Sequence, residues 1–170
     1  MKPGQPNPAP SVLPTGRFSG RTEFAGLIRQ AVAAAAAQGW REMTWCDPDF
    51  ADWPLGERAV AQALNNWAGG GRKLILLAEH YDAVLKHHAR FVSWRRTWSH
   101  AVECRKSGAV SAGRLPSVLC SPGWTLERLD IAHCTGVAST DKARRAALVE
   151  SLSGHFSTSS SGFPATVLGL

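Results

Sequence analysis

The chain has 170 residues, 44% of them apolar and 19% charged, with a formal net charge of +6. That length suits one domain able to bury a sizeable core, and the composition excludes the disordered and fibrous classes. The positive excess favours acidic partners, although net charge also serves solubility.

Residues 1–16 carry five prolines, with Gly4 and Gly16, and read as a disordered lead-in. Residues 17–156 read as one α/β domain. Ser19 or Thr22 can cap a helix in which Phe24, Leu27, Ile28 and Ala31 recur at helical spacing. Alanines at 33–37 extend it until Gly39 stops it. Met43, Thr44, Trp45 and Cys46 make a short strand, followed by an acidic loop and a helix over 56–68. Gly69, Gly70 and Gly71 end that helix, and 73–78 is a continuous apolar run of the kind covered on both faces. One helix over 81–94 and a strand over 99–104 come next. This strand–helix–strand–helix–strand order predicts right-handed crossovers and a mostly parallel sheet with helices on both faces.

Beyond residue 107 the pattern weakens. Strands are expected at 117–120 and 134–138, with 124–129 unassigned, then a helix capped by Ser139 or Thr140. Residues 157–170 open as a Ser-rich linker and end in an apolar tail over 163–170, expected to dock back on the body. Cys46, Cys104, Cys120 and Cys134 form no C-x-x-C pair and read as small buried hydrophobes. No signal peptide and no apolar stretch near the ~20 residues of a membrane span is present, so the expected compartment is the cytoplasm.

Four groups of residues suggest chemistry. Asp47, Asp49 and Asp52 lie just after a strand, at the end of an open sheet where ligands bind, and could hold Mg²⁺. The same residues also build turns and satisfy backbone N–H groups. On the helix after 81, Val84, His88, Phe91, Val92 and Arg95 share a face. A charge there needs a partner, with Asp47, Asp49 or Glu103 in reach, and His88 and Arg95 become ligand-binding candidates. Arg90, Trp94, Arg95, Arg96, Arg105 and Lys106 combine cations with aromatics, as phosphate contact plus base stacking requires. A solvated basic face over core aromatics explains them as well. Lys142, Arg144 and Arg145 open a helix where the macrodipole disfavours cations, a hint of an external anion. Phosphate-loop, nucleophile-elbow and zinc-binding spacings are missing.

Several phrases resemble a group of bacterial proteins assigned to a phospholipase D-like fold. They are Asp47-Pro48-Asp49-Phe50-Ala51-Asp52-Trp53-Pro54-Leu55, Trp67-Ala68 with Gly71-Arg72-Lys73-Leu74, and His88-Ala89-Arg90-Phe91 with Arg95-Arg96. The closing Phe163-Pro164-Ala165-Thr166-Val167-Leu168-Gly169-Leu170 is similar too. The resemblance implies a single phospholipase D-like unit. Active members of that superfamily use H-x-K-x-x-x-x-D, the His attacking phosphorus and the Lys stabilising phosphoryl oxygens. Here His88-Ala89-Arg90 has Arg for Lys and Arg95 in place of Asp, and the strand near Pro116-Ser117-Val118-Leu119-Cys120-Ser121 has neither His nor Lys.

The resemblance therefore implies a non-catalytic binding or interaction module without a cofactor. Its expected partners are a protein or anionic ligand, nucleic acid, or a second copy of the chain as a homodimer. A nucleic-acid-binding protein using the Arg/Trp-rich helix is one alternative, and a metal-dependent hydrolase or transferase using the acidic loop is another.

Overall fold

A computed structural model describes residues 12–108 and 115–164. In chain order the elements are β1 (Gly16–Ser19), α1 (Arg21–Gln38), β2 (Glu42–Cys46), α2 (Arg58–Trp67) and β3 (Lys73–Ala78). After these come α3 (Asp82–His87), α4 (Ala89–Thr97), β4 (Val102–Lys106), β5 (Ser117–Cys120) and β6 (Thr125–Asp130). The remaining elements are β7 (Thr135–Ser139), α5 (Lys142–Ser157) and β8 (Ser160–Ser161). Gly39 closes α1 in the left-handed conformation (φ 67°), its N–H donating to the Ala35 carbonyl. Asp141, rather than Ser139 or Thr140, caps α5 by accepting from the Ala143 N–H at 3.2 Å.

The strands form one sheet in the order β1-β7-β6-β5-β2-β3-β4-β8. Only β2–β3 and β3–β4 are parallel; the other five neighbouring pairs run antiparallel. The expectation of a mostly parallel sheet with helices shared between its faces is therefore wrong. It holds for β2-α2-β3-α4-β4, where each link contains a helix. It fails after residue 107 because 121–124 and 131–134 are too short for a crossover, and a short link can join only antiparallel neighbours. Helices α1 to α4 supply residues to one large core cluster, whereas α5 packs on the smaller cluster formed by Cys46, Leu77, Val118 and Cys120.

The large core is aromatic. Trp45, Trp53, Trp67, Phe24, Phe50 and Phe91 are fully buried, and Trp53 meets the rings of Phe50, Trp45 and Phe24 at centroid distances of 4.9, 5.5 and 5.9 Å. Residues 13–16, read from sequence as part of the lead-in, pack on the body. Leu13 is buried, the Pro14 carbonyl accepts from the Trp124 indole at 2.9 Å, and Gly16 already belongs to β1. Phe163 stacks on Tyr81 at 5.5 Å, so the tail docks at least to that point. The expected disorder over 1–11 and the docking of 165–170 lie outside the described residues. No described helix is long and apolar enough to cross a membrane.

All four cysteines are free and buried. Burial pushes the thiols of Cys46 and Cys120 up, and that of Cys104 to about 11. In the unfolded chain Cys104 ionises at the ordinary value of 9.0. The folded chain therefore holds more protons between these values, and stability, full below 9.0, falls as pH rises toward about 11. Native protein should react with a thiol reagent far more slowly than protein in guanidinium. Reaction of Cys46, Cys104 or Cys120 in native protein at a free-thiol rate would contradict their burial.

Candidate functional site

The acidic loop after β2 is closed by an arginine from β6. Cross-strand register sets Cys46 opposite Val118 and Ser117 opposite Arg128, so the ends of β2, β5 and β6 meet. The Arg128 and Asp47 side chains are each 1% exposed and pair at 2.8 Å. Arg128 also donates to Asp52 at 2.8 Å and to the Ser117 hydroxyl at 3.1 Å, with its guanidinium 4.5 Å from the Phe24 ring centre. Burial opposes the charge on Arg128, but Asp47 and the hydrogen bonds that Arg128 donates to Asp52 and Cys134 outweigh it and raise the guanidinium pKa.

Asp47 accepts in addition from the N–H groups of Asp49 and Phe50 and from the Trp53 indole. Asp49 accepts from the Ala51 N–H at 3.0 Å. The three carboxylates are thus committed to the fold. Among the described residues no group of three or more His, Cys, Asp or Glu is arranged for a metal ion. The acidic loop therefore gives no support to metal-dependent chemistry.

His88 and Arg95 are buried, as their helical face requires, but they do not meet Asp47, Asp49 or Glu103. The His88 ring donates through Nε2 to the Phe50 carbonyl at 2.9 Å. That bond spans 38 residues and lies where one expected helix becomes two, at His88 with φ −120° and ψ 53°. Phe50 is itself held at φ 58°, a conformation costly for a non-glycine residue. Arg95 donates to the Ser99 and Phe163 carbonyls at 3.4 Å, so backbone acceptors rather than a carboxylate surround the cation. Glu103 pairs instead with Lys73 at 3.2 Å and Arg105 at 3.8 Å.

The expected nucleic-acid surface divides in the same way. Trp94 lies in the core beside Phe91, and Arg105 is tied to Ser159 at 3.0 and 2.8 Å. Arg90, Arg96 and Lys106 are exposed. Two of the three cations opening α5 serve the fold, since Arg144 pairs with Glu127 at 2.7 Å and Arg145 donates to the Ser121 carbonyl at 2.7 Å, while Lys142 is exposed.

A different cluster emerges between α2 and α4. A groove of about 500 Å³ there is lined by Arg58, Gln62 and Asn65 on α2 and by Arg90, Ser93 and Thr97 on α4, over Ala61, Ala89 and Trp94. The stripes 58/62/65 and 90/93/97 repeat at helical spacing, the first opposite the buried Val60, Leu64 and Trp67, the second flanking the buried Trp94 that floors the groove. The two helices run parallel, because each connects parallel strands. Arg90 reaches the Gly56 carbonyl at 2.8 Å at one end, and the Trp98 indole reaches Asn65 at 2.9 Å at the other.

Both helix N-termini therefore lie at the end holding Arg58 and Arg90, and neither helix has an acidic residue in its first turn. Two positive dipole ends and two guanidinium groups repel one another unless an anion joins them. The nearest carboxylate, Glu57, is taken by Arg29 at 2.6 and 2.8 Å, a hydrogen bond that holds its carboxyl below the ordinary range. Sequence reasoning located Arg90 but missed Arg58, Gln62 and Asn65. Their i, i+4, i+7 spacing was the available signal.

No family model and no curated protein matches the chain. A solved structure is similar to it, described as that of TrmBL2, an archaeal chromatin protein that shows a novel mode of DNA binding. The alignment has a TM-score of 0.61 at 14% identity and covers 87% of this chain and 54% of that one. The likeness is one of fold. This chain spans about half the length of the solved chain it matches.

Proposed function

We propose that this chain is a nucleic-acid-binding module that acts through the α2–α4 surface. One observation carries the reading: α2 and α4 contain Arg58, Arg90, Arg95 and Arg96 and no Asp or Glu. Three of those arginines are exposed. The side chains lining the groove between the helices are cationic, neutral polar or apolar. Arginine forks suit phosphate oxygens, and amide and hydroxyl groups suit sugars and base edges. The similar solved chain is itself described as binding DNA, which agrees with this partner class without carrying the reading.

Binding rather than cleavage is the role that fits the sequence. The resemblance to a degenerate phospholipase D-like group, which we retain as a proposal, places its motif strand near β5, and Ser117-Val118-Leu119-Cys120 holds no nucleophilic His and no Lys. The test is fluorescence anisotropy with labelled oligonucleotides over a salt series. Affinity should fall steeply with salt as counterions are released. Replacing Arg58 and Arg90 together with Ala should weaken binding at least about tenfold and lower the salt slope by about 2. Salt-insensitive binding, or a double variant that binds as wild type, would sink the reading.

A further inference from the structure

The chemistry around the α2–α4 groove bears on which nucleic acid it takes. From Arg58 to Asn65 the α2 stripe rises about 10 Å, and the groove is a shallow surface, open to solvent, with a volume of about 500 Å³. A paired duplex keeps its bases stacked on one another, whereas an unpaired base offers a free face to an aromatic side chain. The two ends of the groove differ in chemistry. At the helix N-termini, Arg58 is exposed, and Arg90 is anchored by one N–H on the Gly56 carbonyl with its other guanidinium donors left over. Beside the opposite end, next to the groove lining rather than part of it, stands Trp98, half-buried against the core, its indole N–H fixed on the Asn65 oxygen and its ring 5.8 Å from the exposed His100. That bond leaves the Asn65 NH₂ as a donor, and Gln62 between the two ends has no hydrogen-bond partner among the described residues.

We propose that this groove binds an unpaired segment of a single strand, with a phosphate at Arg58 and Arg90 and a base against Trp98. The inference rests on the nucleic-acid reading above and adds strand selectivity to it. A cation at one end and an indole at the other form a minimal single-strand site, because aromatic stacking tolerates any base while cations follow the backbone. Gln62 and the Asn65 amide then meet base or sugar edges between them. The proposal also accounts for cations placed in the first turn of both helices, which the macrodipole alone disfavours.

The experiment compares a labelled oligothymidine with a duplex of equal length in anisotropy titrations of the full chain. The single strand should bind at least about tenfold more tightly than the duplex. Trp98→Leu should cut single-strand affinity about tenfold, and Trp98→Phe should restore most of it. Because Trp98 touches the core, Gln62→Glu at an exposed position is the companion variant. The carboxylate it adds to the groove should also weaken single-strand binding about tenfold. Equal affinity for single strand and duplex would overturn the inference, as would wild-type single-strand binding by both Trp98→Leu and Gln62→Glu. If binding is then still steep in salt and lost on replacing Arg58 and Arg90, nucleic-acid binding stands and only strand selectivity falls. Absence of binding to either probe removes both.

Discussion

Replacing Arg128 with Met should destabilise the fold by about 3–5 kcal/mol, the cost of leaving a buried carboxylate without its cation. Asp47 is 1% exposed and receives Arg128 at 2.8 Å, so losing the guanidinium strands a charge that water cannot reach. Asp52 and the Ser117 hydroxyl lose a donor in the same step. Urea denaturation measures the effect, with Arg29→Met as the control. Arg29 makes an equally short pair with Glu57, at 2.6 Å, but both side chains are about two-fifths exposed, at 43% and 40%. Loss of such a surface pair should cost no more than about 1 kcal/mol. Replacing Asp47 by Leu together with Arg128→Met should recover part of the stability, since an apolar pair carries no uncompensated charge. A loss below about 1 kcal/mol for Arg128→Met would mean that the pair does not hold the acidic loop in place.

Gly136→Ala should be at least as damaging. Gly136 is paired with Arg128 across the β6–β7 ladder, next to a register shift between Arg128 and Asp130. A Cβ at Gly136 would overlap the Glu127 carbonyl oxygen and lie 2.8 Å from the Arg128 Cα. These are backbone atoms of the neighbouring strand, so relief requires β7 to move away from β6. We expect a loss of at least about 3 kcal/mol, the upper range for overpacking. Gly154→Ala gives the contrast. It lies within α5 with nothing within 4 Å of an added Cβ, and the change should stabilise by roughly 0.5–1 kcal/mol through helix propensity. Thermal melts of the two variants should move in opposite directions. A Gly136→Ala protein that melts with wild type would show that the β6–β7 contact is looser than described.

Both sites show where the sequence is readable and where it is not. Residues 73–78 announce β3 because a central strand buried on both faces must be apolar throughout. The faces of α1 and α2 follow from helical spacing. β1 escapes notice because its four residues bury one apolar side chain, Phe18, and only pairing with β7, more than a hundred residues on, makes them a strand. The break at His88 coincides with a bond to the Phe50 carbonyl, 38 residues away and invisible to local spacing. Asp47 and Asp52 look like free ligands when read locally, because the cation that neutralises them lies on β6, 81 residues beyond Asp47, while Asp49 is turned to the Ala51 N–H. Local charge density pointed to residues 90–106, but helical rotation turns Trp94 and Arg95 inward and leaves Arg90 beside Arg58. The groove becomes visible only when two helices far apart in sequence are set side by side.

The sheet ends at β4 in a two-residue strand. Ser160 and Ser161 pair with Lys106 and Arg105, the Gly162 N–H donates to the Cys104 carbonyl at 3.0 Å, and Phe163 anchors the turn on Tyr81. Unclaimed amide and carbonyl groups along a sheet margin recruit strands from other molecules. Here the polypeptide covers part of that margin with its own last described residues, and the outer strand it leaves is only two residues long, a short template for a foreign strand. Among the described residues the other outer strand, β1, offers four.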